Sequence, residues 1–239
     1  MKNTLLEIRN VCGGYDKDIN ILQDLSLAIS KGEALGVIGL NGSGKSTLGK
    51  ALMNLLPYRS GDIIFDEVKV NDKSTYEISQ SGITMMHQGG TVFPDLSVWD
   101  NLRLAYNKQN NSLYKEKLES LIPLLTKPKR QLMRMMADKL SGGERHQLAL
   151  AMVLARNPKL IILDEPSAGL SPAAVENMFQ LLAEIRKTFG TTIILIEQNI
   201  AHAVAFCDRL IMLENGNLHT GLDNLDIKEI ETILFKNKQ

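Results

Sequence analysis

Apolar residues along this chain follow two alternating rhythms. Ala34-Leu35-Gly36-Val37-Ile38, Leu160-Ile161-Ile162-Leu163 and Ile193-Ile194-Leu195-Ile196 are apolar almost throughout, as strands buried on both faces should be. Elsewhere apolar residues recur at helical spacing, as at Leu148, Met152 and Ala155. The beginning reads as rich in strands, over about 4–9, 24–30 and 33–38. A glycine-rich loop then opens a helix from about Lys45 to Leu55, ended near Pro57. Gly61 to Phe65 predicts another strand after a Ser-Gly turn. From about Gly142 the alternation is regular: helix 142–156, strand 160–164, helix 172–188, strand 192–196, helix 198–207, strand 209–213 and a short helix near 226–235. This order predicts an α/β fold with a largely parallel sheet, whose ligands bind beyond the carboxyl ends of the strands.

Residues from about 95 to 138 break that rhythm. They are helix-patterned, without a convincing strand. Ser97 suits the cap of a helix running through Asn101 to Tyr106, and a second helix over about 112–126 is interrupted by Pro123 and Pro128. The expected organisation is one domain, with an α/β core over 1–94 and 139–239 and a helical subdomain inserted at about 95–138.

Composition narrows the function classes. With 239 residues, 44% hydrophobic and 23% charged, the chain can bury a sizeable core. Lys plus Arg and Asp plus Glu each total 27, so no net charge recommends nucleic acid as a partner. No apolar run approaches the roughly 18–20 residues of a bilayer span. The first residues, Met1 to Glu7, meet charge at once and lack the apolar core of a signal peptide. The expectation is a cytoplasmic protein that touches a membrane only through a partner. Cys12 and Cys207 are far apart and read as small apolar fillers rather than as metal or redox groups.

Three segments carry chemistry. Gly39-Leu40-Asn41-Gly42-Ser43-Gly44-Lys45-Ser46 fits G-x-x-x-x-G-K-S between a predicted strand and helix. Glycines there let the backbone amides of residues such as Asn41, Gly42, Ser43 and Gly44 curl around phosphate oxygens at a helix N-terminus. Lys45 should reach the β and γ phosphates of a nucleoside triphosphate, the Ser46 hydroxyl should ligate Mg²⁺, and Thr47 is an adjacent donor. Asp164 ends an apolar strand, where a carboxylate can hold Mg²⁺ directly or through water, and Glu165 stands next in line to polarise an attacking water. A turn or helix-capping acid is the plainer reading of each. Ser141, Gly142 and Gly143 precede a helix and suit a γ-phosphate as well. One chain cannot easily use two cradles on one nucleotide, so the second is expected to serve the nucleotide of another subunit.

These segments, in this order and spacing, resemble the ATPase subunits of ABC transporters over nearly the whole chain. Gly39 to Ser46 matches the Walker A motif, Leu140-Ser141-Gly142-Gly143-Glu144 the signature, and Leu160 to Glu165 Walker B. The resemblance implies a P-loop fold of the ABC ATPase type, a mixed sheet core with an N-terminal antiparallel β part. It also implies ATP and Mg²⁺ as cofactors, a second ABC ATPase subunit, identical or related, and integral membrane permease subunits. Tyr15 then looks like the aromatic that stacks on adenine. Gln88 looks like the glutamine that senses Mg²⁺ and links it to the helical subdomain. Ser167-Ala168-Gly169-Leu170-Ser171 takes the place of the loop that crosses the dimer interface, with Ser171 where the family usually has Asp.

The strand Thr192 to Ile196 departs from the family pattern. It usually runs into Thr-His-Asp, the His contacting γ-phosphate; here it runs into Glu197-Gln198-Asn199. Gln198 can donate a hydrogen bond but cannot become a cation at neutral pH. His202 lies one helical turn further on. Ile196 to Asn199, with Val92-Phe93-Pro94-Asp95-Leu96-Ser97-Val98, looks like the smaller, LivF-like ATPase of branched-chain amino acid importers. Relatives import urea and short amides. A soluble ABC-type ATPase, such as an iron–sulfur assembly ATPase, is the alternative from another class, and membrane association would separate the two. Trp99, the basic residues Lys127, Lys129, Arg130 and Arg134, and Met133, Met135 and Met136 read first as ordinary packing and solvated surface, and second as a permease or headgroup contact.

Overall fold

The computed structural model describes residues 4–106, 112, 116, 119–120, 122–222 and 226–236. Two sheets organise it. The first is antiparallel, built from β1 (Thr4–Gly14), β2 (Leu22–Ser30), β4 (Tyr58–Phe65) and β5 (Val68–Lys69) in the order β2-β1-β4-β5. The second has the order β10-β9-β3-β8-β7-β6. In it β3 (Ala34–Ile38), β6 (Ile83–Met86), β7 (Leu160–Asp164), β8 (Thr192–Ile196) and β9 (Arg209–Glu214) run parallel, and β10 (Asn217–His219) closes the edge antiparallel. This is the mixed core with an N-terminal antiparallel part expected from the sequence.

The apolar runs fold as strands because both of their faces are covered. On β7, Leu160 and Ile162 turn to a core shared with the antiparallel sheet and with α1 (Lys45–Leu52). Ile161 and Leu163 turn to the opposite core, shared with α5 (Gly142–Leu154) and α6 (Pro172–Phe189). The alternation is that of a strand, whose successive side chains point to opposite faces. On β8, Ile194 and Ile196 face the first core and Ile193 and Leu195 the second. Burying each such side chain stabilises by roughly 1.5–3 kcal/mol. A third cluster joins β9 to α7 (Ile200–Phe206) and α8 (Ile227–Lys236).

Local signals set the helix ends. α6 has Pro172 in its first turn and stops at Gly190, which takes φ 66°. α5 stops at Leu154, short of the predicted 156, and Asn157 takes φ 52° just before Pro158. Between β6 and α5 the described elements are helical: α3 (Val98–Ala105), a 3₁₀ turn at Pro123–Thr126, the short α4 (Lys129–Leu132) and a 3₁₀ turn at Ala137–Lys139. Ser97 caps α3, accepting the Asp100 amide at 3.0 Å. Of the helix predicted over about 112–126, residues 112, 116, 119 and 120 are described and helical, and the last four residues form a 3₁₀ turn rather than an α-helical one.

Among the elements that the sequence did not predict are β5, α2 (Thr75–Ser81), β6 and β10. Among the described residues no helix is long and apolar enough to cross a membrane. Both cysteines are free, and burial pushes the Cys207 thiol up to about 12, which makes it inert.

Candidate functional site

Four neighbouring parallel strands, β3, β8, β7 and β6, deliver the candidate residues to one edge of the larger sheet. The loop Gly39–Ser46 leaves β3 and enters α1. A Cβ on Gly39 would stand 2.3 Å from the Leu213 carbonyl oxygen, so no larger residue fits. Gly44 takes φ 104° at the N-cap of α1 and supplies no side-chain cap, so no side chain caps the first amides of the helix. Ser43 is 5% exposed and its Oγ has no hydrogen-bond partner. An unmet buried hydroxyl costs about 1–3 kcal/mol, and a phosphate oxygen would meet it.

Lys45 is as deeply buried, and its Nζ donates to the carbonyls of Gly39 at 2.8 Å and Leu40 at 2.9 Å. Burial holds its pKa below the ordinary lysine value, against the opposing pull of Glu165, Asp164 and Glu197. A desolvated ammonium, an orphaned hydroxyl and an uncapped helix end together fit a triphosphate. Asn41 and Gly42 lie exposed on the loop, and Thr47 is buried behind it. Tyr15 lies beside α1: Lys50 Nζ donates to its hydroxyl at 3.0 Å and sits 5.1 Å from the ring centroid.

Ser46 and Asp164, 118 residues apart, meet here, the Ser46 hydroxyl donating to Asp164 Oδ1 at 2.9 Å. Asp164 is buried, and desolvation raises its pKa despite the Ser46 hydrogen bond. A hydroxyl beside a carboxylate is a hard oxygen pair and fits Mg²⁺. Among the described residues no three His, Cys, Asp or Glu side chains cluster as a metal site. A cation at this pair would therefore complete its shell with phosphate and water.

Glu165 follows with φ 47°, in the left-handed region that few residues other than glycine occupy. Its amide donates to the Ile196 carbonyl at 2.9 Å. Two glutamine amides grip its carboxylate: Gln88 Nε2 donates to Oε2 at 2.9 Å and Gln198 Nε2 to Oε1 at 2.6 Å. Gln88 thus meets Glu165 rather than the Ser46–Asp164 pair. His202 does not join them; its ring packs on Phe179, with centroids 5.3 Å apart.

Ser141 and Gly142, next to Gly143, form hydrogen bonds elsewhere. Ser141 Oγ accepts the Glu144 amide at 3.3 Å and donates to Glu144 Oε2 at 2.9 Å, and the Gly142 carbonyl faces His146 Nδ1 at 3.2 Å. Lys127 Nζ donates to Glu144 Oε1 at 2.7 Å. The basic cluster is thus partly engaged, for Lys129 Nζ also lies 4.2 Å from the Trp99 ring centroid.

Glu197 was missed by the sequence reading. It is 2% exposed and directly follows β8, and its carboxylate accepts the amides of Ser167 at 3.3 Å and Gln198 at 3.2 Å. The signal was an acid at the carboxyl end of an apolar strand, the feature that marked Asp164.

Comparison with known proteins agrees with this geometry. The family model described as ABC transporter matches residues 22–168. The high-affinity branched-chain amino acid transport ATP-binding protein BraG of Pseudomonas aeruginosa is 33% identical over 214 residues, covering 90% of this chain and 91% of its own. The lipopolysaccharide export system ATP-binding protein LptB of Escherichia coli is 29% identical over 214 residues, covering 89% and 88%. A dimeric structure of the ATP-binding cassette MJ0796, in a post-hydrolysis state bound to ADP and Pi, superposes with a TM-score of 0.74 at 25% identity, covering 90% of this chain and 98% of that one.

Proposed function

The chain belongs to the ABC transporter family, whose members bind and hydrolyse ATP, and from that premise we propose that it powers an importer of branched-chain amino acids or related small solutes. The full-length likeness to BraG, 33% identity against 29% for LptB, carries this choice of solute. Glu197-Gln198-Asn199 after β8 supports it.

On this reading the uncapped start of α1, the Ser43 hydroxyl and Lys45 hold the phosphates, and Tyr15 stacks on adenine. Ser46 and Asp164 hold Mg²⁺, which neutralises phosphate charge when bound. Glu165 takes a proton from the attacking water, with its carboxylate aimed by Gln88 and Gln198. Ser141, Gly142 and Gly143 lie outside this cluster and cover the γ-phosphate of a second, identical or related, subunit; the dimeric MJ0796 supports such a sandwich.

A cleft of about 510 Å³ opens beside Gln88, lined by Met53, Tyr76, Met85, His87, Met152 and Arg156. Its lining is largely apolar and suits a permease segment, which would place the chain on the inner face of a membrane. There, closure of the sandwich would be passed on mechanically.

Uptake of radiolabelled leucine, isoleucine and valine by cells carrying only the Lys45→Ala chain tests the reading. Uptake should fall to background. Normal uptake would sink the importer assignment, and normal uptake with a failing export process would move the chain toward the role named for LptB.

A further inference from the structure

Glu197 has no part in the roles assigned above, yet it is a carboxylate withdrawn almost wholly from water. Such a group is retained only when hydrogen bonds replace its hydration. The replacements come from two different loops. The Ser167 amide, in the loop after Glu165, donates to Oε1, and the Gln198 amide donates to Oε2. The second of these residues also grips Glu165 through its side chain. An unbroken path therefore runs from the Ser167 loop through Glu197 and Gln198 to Glu165, and on to Gln88.

The Glu165 carboxylate needs such support. Its backbone sits at φ 47°, and each of its oxygens takes a donor from an exposed glutamine. Exposed side chains hold a single rotamer only where something fixes their base. For Gln198 that anchor is its own amide, bound to Glu197. A threonine at 197 would carry its oxygen on Cβ, two atoms short of the glutamate oxygens, and could not reach the Ser167 amide as Oε1 does.

We propose that Glu197 is a positioning residue for hydrolysis: its carboxylate ties the Ser167–Leu170 loop to the Gln198 backbone, and Gln198 aims Glu165. The tie does not depend on the transported solute. One consequence does rest on the sandwich reading above: a second subunit pressing on the Ser167–Leu170 loop would shift Gln198 and so time hydrolysis to closure.

The test compares Glu197→Gln, Gln198→Ala and the double variant. Glu197→Gln keeps the shape but turns an amide group toward a backbone N–H, which breaks one tie. It should lower kcat about tenfold, a change of about one pKa unit's worth of free energy, with Mg-ATP affinity within about twofold of wild type. In the Gln198→Ala background it should add nothing, because the path is already cut. Glu197→Thr, a smaller residue that is easily buried, should give the same pattern and covers the case in which the first variant does not fold. A crystal structure of either variant should show the Gln198–Glu165 contact lengthened beyond about 3.5 Å. Additive losses in the double variant, an unchanged kcat, equal losses in affinity and kcat, or an intact contact would each overturn the proposal. Failure of the sandwich reading would show differently, as phosphate release per chain that does not vary with protein concentration in any variant.

Discussion

The chain starts two helices with glycine-rich segments that suit a phosphate, and the two have opposite local physics. At α1 the N-cap is Gly44, which offers no side chain, and the loop holds a buried hydroxyl without a partner. At α5 the N-cap is Ser141, already locked in a reciprocal capping box with Glu144, which Lys127 holds in turn. The first site keeps its donors for a ligand; the second spends them on its own helix. On the function proposed above, a nucleotide would be bound by the first site alone. At the second it must compete with Glu144, which is the behaviour expected of a surface that acts only when a second subunit brings a nucleotide to it.

Lys45→Ala breaks the comparison most strongly. Lys45 is desolvated and coordinated by the loop, and charged hydrogen bonds are worth about 1.5–3 kcal/mol each. With its expected bonds to the β and γ phosphates lost, ATP affinity should fall at least about a hundredfold, measured by calorimetry. A variant that binds ATP within a few-fold of wild type would refute the assignment of the loop. Ser141→Arg should act on the other side only. ATP affinity of the isolated chain should stay within about twofold, while kcat falls about tenfold or more through blocked closure. Lowered affinity in the isolated chain would mean that both segments serve one nucleotide.

Legibility in the sequence follows the same division. Strands β7 and β8 were read to the residue because they are continuous apolar runs ending in polar residues. α2 was missed because only Ile78 is buried on it, so it carries no apolar periodicity; its signal was local, the Ser74–Glu77 capping box. β6 is four residues long and contains Thr84, too short to stand out. At the site, Ser46 and Asp164 were paired through the spacing of their motifs. The role of Glu197 was not legible, because its Ser167 partner lies 30 residues earlier and only the parallel pairing of β7 with β8 brings the two together. Gln198 was noted as a departure, but its grip on Glu165 depends on a backbone conformation that no sequence pattern states.

Asp164→Asn sharpens the picture of a site kept ready for cations. Burial raises the Asp164 pKa above its usual value of 3.8, so ionising this carboxyl costs more in the folded chain than in the unfolded one. The sign follows: without Mg-ATP, wild-type stability should rise as pH falls from neutral toward the raised value. Asp164→Asn removes that charge. It should melt higher at neutral pH, by about 2–4 °C for each kcal/mol relieved, with a flatter pH dependence. Mg-ATP should then stabilise wild type more than the variant. A variant that melts lower at neutral pH would show that Ser46 and Lys45 already compensate the carboxylate.

The smallest effect concerns the competitor at the second cradle. Hydrogen bonding from Lys127, followed by that from Ser141, holds the Glu144 carboxyl below the usual value of 4.5. A depressed carboxylate stabilises the fold above the unfolded pKa and loses that contribution as pH falls through the folded one. Lys127 and Glu144 are each about a third exposed, so solvent partly screens the ion pair and the capping box shares the effect. Glu144→Ala should therefore cost about 0.5–1 kcal/mol at neutral pH, the usual range for half of a cap. The difference from wild type should vanish well below the glutamate range. Thermal unfolding at the two pH values measures both. The same variant frees the Ser141 hydroxyl, so closure on ATP should survive or tighten even as the lone chain loses stability. If stability and closure fall together, the capping box is part of the cradle rather than its competitor, and the contrast between the two helix starts is lost.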